Sequence, residues 1–130
     1  MLWVNDSKAT NIDATIQALK SFKDYDINLI LGGDDKGANL EPLFEEGKKY
    51  QLTIYAIGSN TEKINNLANS NKIKCIKCQY LDKAIVQIKK DIQQKTNTMV
   101  LLSPAAASLD QFKSYAQRGD EFKTLINKSV

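Results

Sequence analysis

Histidine is absent from the 130 residues, and its absence removes two classes of chemistry at once. Neither a Ser-His-Asp triad nor a His-ligated metal site can be built from this chain alone. Cysteine is scarce: Cys75 and Cys78 form a lone C-x-x-C within Lys74-Cys75-Ile76-Lys77-Cys78. A zinc site needs two further ligands that the chain does not offer. A thioredoxin-like pair belongs at a helix start, where the dipole lowers the thiol pKa. These two instead straddle the end of a short expected strand, and incidental thiols of a cytoplasmic protein are the plainer reading. Arginine occurs once, at Arg118, and the 18 Lys and Arg against 15 Asp and Glu are spread along the chain. Nucleic-acid binders concentrate basic residues and use arginine for two-pronged contacts, so no nucleic-acid partner is expected. No run approaches the ~20 apolar residues of a membrane span, so no membrane association is expected. The apolar stretch Met1–Val4 is too short for a secretory signal before Asn5 and Asp6 follow. Neither a G-x-x-x-x-G-K-[ST] phosphate loop nor a G-x-G-x-x-G turn occurs.

What is present fits one soluble domain. Hydrophobic content of 42% and charged content of 25% allow a core of its own at this length. Short β-like runs alternate with amphipathic stretches. The apolar run Leu2–Val4 precedes a helix over 11–22 with Ile12, Ile16, Leu19 and Phe22 on one side. Ile27–Leu31 is a strongly apolar strand, and a short helix starts near Leu40 with Pro42 in its first turn. Leu52–Ile57 is a third strand and Thr61–Asn69 a helix with Ile64, Leu67 and Ala68 on one face. Lys72–Ile76 is a weak fourth strand. Leu81–Gln94 is a helix whose stripe is Ala84, Ile85, Ile88 and Ile92. Met99–Leu102 is the last strand, and Ser108–Lys128 is helical with a break near Gly119. This alternation predicts an α/β, Rossmann-like three-layer domain: a mainly parallel sheet of five to six strands flanked by helices, spanning 1–130 as one unit.

In open parallel sheets, ligands bind beyond the carboxyl ends of the strands. Three segments occupy such positions. Asn5-Asp6-Ser7-Lys8-Ala9-Thr10-Asn11 offers a carboxylate, an ammonium and hydroxyls. Thr10 with Asp13 matches a capping box, and Asn11 is a second candidate cap, but capping leaves Asp6 and Lys8 unexplained. Gly32-Gly33-Asp34-Asp35-Lys36-Gly37-Ala38 places paired glycines where backbone approaches a ligand or takes positive φ, or else it is a Gly/Asp turn with Lys36 solvated. In the third, Leu101 to Phe112, Ser108-x-x-Gln111 forms a capping box whose helix start can also hold an anion. Together the loops suit a small dianion, such as a dicarboxylate, or a phosphate. The residues by themselves name no reaction.

The same three segments, continuing through Gln117-Arg118-Gly119-Asp120-Glu121-Phe122, resemble the C-terminal domain of the Mur ligases, of the D-glutamate-adding type. The resemblance covers the whole chain, and S-P-A-x-A-S-x-D-Q-F followed by Q-R-G is its most specific part. It implies an ADP-forming amide ligase of bacterial cell-wall (peptidoglycan) synthesis. In that family ATP phosphorylates the carboxylate of UDP-N-acetylmuramoyl-L-alanine, and the amine of D-glutamate attacks the acyl phosphate. It further implies that ATP and magnesium are held mainly by a central domain outside these residues, and the nucleotide precursor by an N-terminal one. The missing phosphate loop accords with that division, and the start of the chain resembles a cut at a domain junction. By the same resemblance, Lys36 pairs with a D-glutamate carboxylate. Thr10 and Ser108 supply hydroxyl contacts, and Leu109 and Tyr115 complete the amino-acid site. Asp6 and Lys8 take catalytic, nucleotide-facing places, and no residue is a metal ligand. Departures from the family pattern are Asp35 where glycine is frequent, Ala106 where cysteine is common, and Tyr115 for phenylalanine. Asp35 is expected to weaken affinity for an anion. The chain alone is expected to be a cytoplasmic, inactive monomer. The alternatives are a free-standing Rossmann-like module for a small anion or nucleotide, a redox domain centred on the cysteines, and a sibling ligase adding another amino acid.

Overall fold

A computed structural model describes residues 2–93 and 95–128. The elements alternate strictly: β1 (Leu2–Asn5), α1 (Ile12–Ser21), β2 (Asp26–Gly32), α2 (Glu41–Gly47), β3 (Leu52–Ile57), α3 (Thr61–Ser70), β4 (Lys74–Gln79), α4 (Leu81–Asp91), β5 (Thr98–Leu102) and α5 (Tyr115–Ile126). The strands form one sheet in the order β1-β5-β2-β3-β4, with every pairing parallel. The expected three-layer α/β class is correct, with five strands among the described residues.

Period-two alternation sorts the strand side chains onto two cores. Leu29, Leu31, Ile54, Ala56, Met99 and Leu101 point into a cluster closed by Leu19 of α1, Leu43 and Phe44 of α2, and Ile64 and Ala68 of α3. Ile30, Tyr55, Ile57, Val100 and Leu102 point the other way, onto Ala84, Ile85 and Ile88 of α4 and Phe122 and Leu125 of α5. Helices α1 to α3 thus cover one face and α4 and α5 the other. Central strands β2 and β5 are buried nearly throughout, which is why both read as continuous apolar runs.

The larger departures from the sequence reading are these. Strand β4 begins two residues later and runs to Gln79, so both cysteines lie inside it, with a register shift opposite Ala56 and Ile57. The helix expected to reach Gln94 has its last helical residue at Asp91, and Gln94, like Met1, lies outside the described residues. Helix α1 is capped by Asn11, whose side-chain oxygen accepts the Ala14 N–H; Thr10 lies one residue too early and is exposed. The last helix starts at Tyr115, not Ser108, and runs through Gly119 unbroken. Gly119 is where α5 rests on the loop after β1: a Cβ there would stand 2.9 Å from the Asn5 amide and 3.3 Å from Ser7 Cβ. The glycine serves close approach, not a break. Trp3 of β1 meets Phe122 of α5 at 6.2 Å between ring centroids and locks this contact from the apolar side.

Candidate functional site

The strand order puts β5 between β1 and β2, so the three loops singled out in the sequence leave adjacent strands. The chain leaves β1 and β2 toward α1 and α2 on one face, and leaves β5 toward α5 on the other. A crevice opens where neighbouring connections diverge, and ligands of open α/β sheets settle there.

Backbone hydrogen bonds stitch the loops together. The Asp6 N–H donates to the Leu102 carbonyl at 2.8 Å, and the Ala105 N–H to the Ala9 carbonyl at 3.0 Å. Gly32 donates to the Pro104 carbonyl at 3.0 Å, and Asp34 and Ala107 exchange both bonds of an antiparallel bridge at 2.9 Å each. Gly33, at φ +143, passes so close to the Ala107 carbonyl that a Cβ would collide with it. The paired glycines are therefore required by loop-to-loop approach as well as by conformation. Ala105 takes φ 58 without being glycine, which places local strain in the turn after β5.

Beneath this junction lies Arg118, 1% exposed and foremost among the large buried side chains. Its Nε donates to Ser7 Oγ at 2.9 Å, Nη2 to the Ser7 carbonyl at 2.6 Å, and Nη1 to the Ala106 carbonyl at 3.1 Å. All three acceptors are neutral. Burial pulls the guanidinium down to about 10, partly offset by the charge of Asp110, so it remains a cation at neutral pH. Ser7 Oγ in turn donates to the Tyr115 carbonyl at 2.7 Å, and this fixes the start of α5. Arg118 was legible in the sequence as the lone arginine inside Q-R-G. Its burial was not, because the expected break at Gly119 left that face of the helix unassigned.

The structure places the expected site residues as follows. Asp6 is half-buried and accepts from Ser103 Oγ at 2.9 Å, while Ser103 is itself held by Thr15 at 3.1 Å. Lys8 and Tyr115 are both exposed and line one hollow of about 350 Å³ with Asn5, Ser7, Ala116, Gly119, Asp120 and Lys123. Thr10, Lys36, Ser108 and Leu109 do not line that hollow. Lys36 is exposed at the tip of the loop after β2, Leu109 is 66% exposed, and Ser108 is buried.

The capping box at Ser108 does not form. Gln111 and Phe112 donate backbone N–H groups to the Ser108 carbonyl, closing a single turn without a continuing helix. Of the two side chains such a box would use, Gln111 is engaged elsewhere. Asp110 accepts the Ser59 N–H at 2.8 Å, and Gln111 Nε2 donates to the Gln79 carbonyl at 2.8 Å. No helix starts at Ser108, so no helix N-terminus is presented there. The true helix start, at Tyr115, is capped by Ser114 and borders the hollow lined by Lys8.

Asp35 has partners of its own. Its carboxylate turns inward, accepting from Asn60 Nδ2 at 2.8 Å, Lys63 Nζ at 2.9 Å and the Gly37 N–H at 2.9 Å. Burial pushes this carboxyl up, but the bonds from Asn60, Lys63 and Gly37 outweigh it and hold the group below its ordinary value. Its charge is thus matched by Lys63, a residue the sequence reading did not single out. Asn60, the hub of these contacts, also accepts the Gly33 N–H at 2.9 Å.

The cysteines offer no paired redox centre. Cys75 packs on the α1–α3 core and Cys78 on the α4–α5 core, so their side chains leave opposite faces of the sheet. Burial pushes both thiols up to about 11, which is the reverse of an activated thiolate. Among the described residues no three His, Cys, Asp or Glu come together to hold a metal ion. Among the described residues, no helix is long and apolar enough to cross a membrane.

Fold and site together define a three-layer α/β domain with a polar, lysine-bearing crevice at the switch point of a parallel sheet. No family model matches the chain. Individual relatives do. UDP-N-acetylmuramoylalanine–D-glutamate ligase of Helicobacter pylori is 57% identical over 127 residues, which is 98% of this chain and 30% of that protein. The ligases of the same name from Campylobacter jejuni and Clostridioides difficile are 50% and 39% identical over 98% of the chain, which spans 31% and 28% of their lengths. The chain is therefore homologous, over nearly all of its length, to a segment of the UDP-N-acetylmuramoylalanine–D-glutamate ligases, and it spans about 30% of the length of these curated relatives.

Proposed function

We propose that this chain is the D-glutamate-binding, C-terminal domain of an ATP-dependent ligase that joins D-glutamate to UDP-N-acetylmuramoyl-L-alanine in peptidoglycan synthesis. The observation that supports this most strongly is the match over 98% of the chain to proteins named for that reaction. The geometry is consistent with it, since the loops carrying the resemblance leave three adjacent strands.

In this reading the reaction forms an amide through an acyl phosphate, with ADP and phosphate as the other products. D-Glutamate carries two carboxylates, and Lys36 is assigned to one of them. A charge-assisted contact of that kind contributes roughly 1.5–3 kcal/mol. Thr10, Ser108, Leu109 and Tyr115 are assigned to the rest of the amino acid. Lys8 and Asp6 are assigned to the side facing the nucleotide and the reacting carbonyl. Lys8 is exposed and stands in none of the ion pairs among the described residues, so its ammonium is available to charge developing in a transition state. Asp6 is held by the buried Ser103 and keeps a defined direction.

The chain is assigned no site of its own for ATP or Mg²⁺. It has no phosphate loop, and its acidic residues form no metal-binding group among the described residues. We therefore assign both mainly to another part of the parent ligase, and the isolated chain to an inactive, cytoplasmic monomer.

The test uses the full-length protein that contains this segment. Phosphate release is followed with ATP, Mg²⁺ and UDP-N-acetylmuramoyl-L-alanine, in the presence of D-glutamate, L-glutamate or a diamino acid. Turnover with D-glutamate alone is expected. Turnover with the diamino acid would overturn the substrate assignment, and silence from a folded protein with all three would overturn the reaction. Phosphate release by the 130-residue chain alone would refute the assignment to a partial, non-catalytic domain.

A further inference from the structure

Lys36 stands in an unfavourable place for an anion-binding lysine. Asp34 and Asp35 precede it directly, so two negative charges flank one positive charge at the tip of a loop. Each aspartate closes a small turn: Asp34 Oδ1 accepts the Lys36 N–H at 3.0 Å, and Asp35 Oδ1 accepts the Gly37 N–H at 2.9 Å. These turns hold Lys36 at φ 53 and present it outward. An incoming carboxylate would still meet the field of both aspartates unless one were cancelled.

Lys63 supplies the cancellation. It lies on α3, outside all three loops, and its Nζ stands 2.9 Å from Asp35 Oδ2. The same ammonium donates to the Ala38 carbonyl at 2.7 Å, just past the loop tip. The Asp35 side chain is 9% exposed and the Lys63 side chain 38%, so the pair is less screened than an ordinary surface pair. Asn60 Nδ2 holds the same Asp35 oxygen at 2.8 Å and keeps it turned toward α3, away from solvent.

We infer that Lys63 is a positioning and charge-balancing residue for the dicarboxylate site: it neutralises Asp35 and pins the loop, leaving the Lys36 ammonium free to meet a substrate carboxylate. This rests on the assignment of Lys36 to a D-glutamate carboxylate. It also explains how the chain tolerates an aspartate beside that lysine, since the added negative charge arrives with its own partner.

The test is a charge-balanced cycle in the full-length ligase, read as KM for D-glutamate against kcat. Lys63→Met is expected to raise KM about fivefold, the scale of one partly exposed charge pair, with kcat nearly unchanged. Lys63→Met combined with Asp35→Asn is expected to return KM to within about twofold of the parent, because contacting residues couple where distant ones add. A purely structural role, through the bond to the Ala38 carbonyl, would not be rescued by neutralising Asp35. An unaltered KM in Lys63→Met, or a double variant as impaired as the single one, overturns the inference. Lys36→Met separates the two levels. A raised KM there with no Lys63–Asp35 coupling removes only Lys63, whereas an unaltered KM removes the Lys36 assignment and the inference with it.

Discussion

Where the loops after β1 and β5 meet, a buried guanidinium joins them: Arg118 binds Ser7 and Ala106 through three donors. Where the loops after β2 and β3 meet, a neutral amide does the joining, since Asn60 binds Gly33 on one side and Asp35 on the other. An ion pair with Lys63 backs that amide nearer the surface. The two halves of one sheet edge thus use different chemistry. A buried cation surrounded by neutral acceptors holds rigidly, because moving it would strand several polar groups away from water. A partly exposed ion pair beside an amide holds more weakly, since solvent competes for every partner. The first half carries Lys8 and Asp6, assigned to the reacting centre, where a small displacement is costly. The second carries Lys36, assigned to a carboxylate of the amino acid.

The sharpest way to break this comparison is Arg118→Met, which keeps apolar bulk but removes every donor. It is expected to destabilise the fold by about 3 kcal/mol, through unsatisfied acceptors at Ser7 and Ala106. The shift of the urea midpoint at constant m-value measures it. A loss below about 1 kcal/mol would show that water replaces the guanidinium and that the first half is not built on it.

Asn60→Ala probes the second half. It strands the Gly33 N–H and frees Asp35, and a loss of about 1–2 kcal/mol is expected. The same urea experiment reads it. A cost equal to that of Arg118→Met would erase the difference between the halves.

The smallest effect concerns pH. The folded-state pKa of Asp35 lies below its ordinary 3.8. The stabilisation this carboxylate contributes is therefore complete above that value, and is lost as pH falls through the lower folded-state pKa. Asp35→Asn should lose less stability than the parent between about pH 4 and pH 2. Parallel curves of stability against pH for the two proteins would show that Asp35 carries no preferential ionisation in the folded state. Arg118, protonated throughout that range, itself contributes no such dependence.

Much of this architecture was legible because strongly periodic segments admit few interpretations. The stripe Ala84, Ile85, Ile88 and Ile92 could only be one helix face, and all four are buried. The apolar run from Ile27 to Leu31 could only be a covered strand. What failed was local chemistry with two competing partners. Ser108 and Gln111 satisfy a capping rule, yet Gln111 Nε2 donates instead to the Gln79 carbonyl at the end of β4. Thr10 also satisfies one, yet Asn11 stands one residue nearer the helix and takes the role. Gly119 reads as a helix breaker in one dimension and as a contact point in three.

The sequence by itself determined the α/β class, the loops to watch and the family resemblance. Each of these depends on order and spacing along the chain, which the residues state directly. Only the tertiary structure decided that β5 inserts between β1 and β2 and so brings the loops after those three strands together. It also decided that the cysteines face opposite cores, that Arg118 is buried, and that Lys63 answers Asp35. Those facts depend on which strand lies beside which, and the strand order comes from burying both faces of the whole sheet at once. No local segment carries that information.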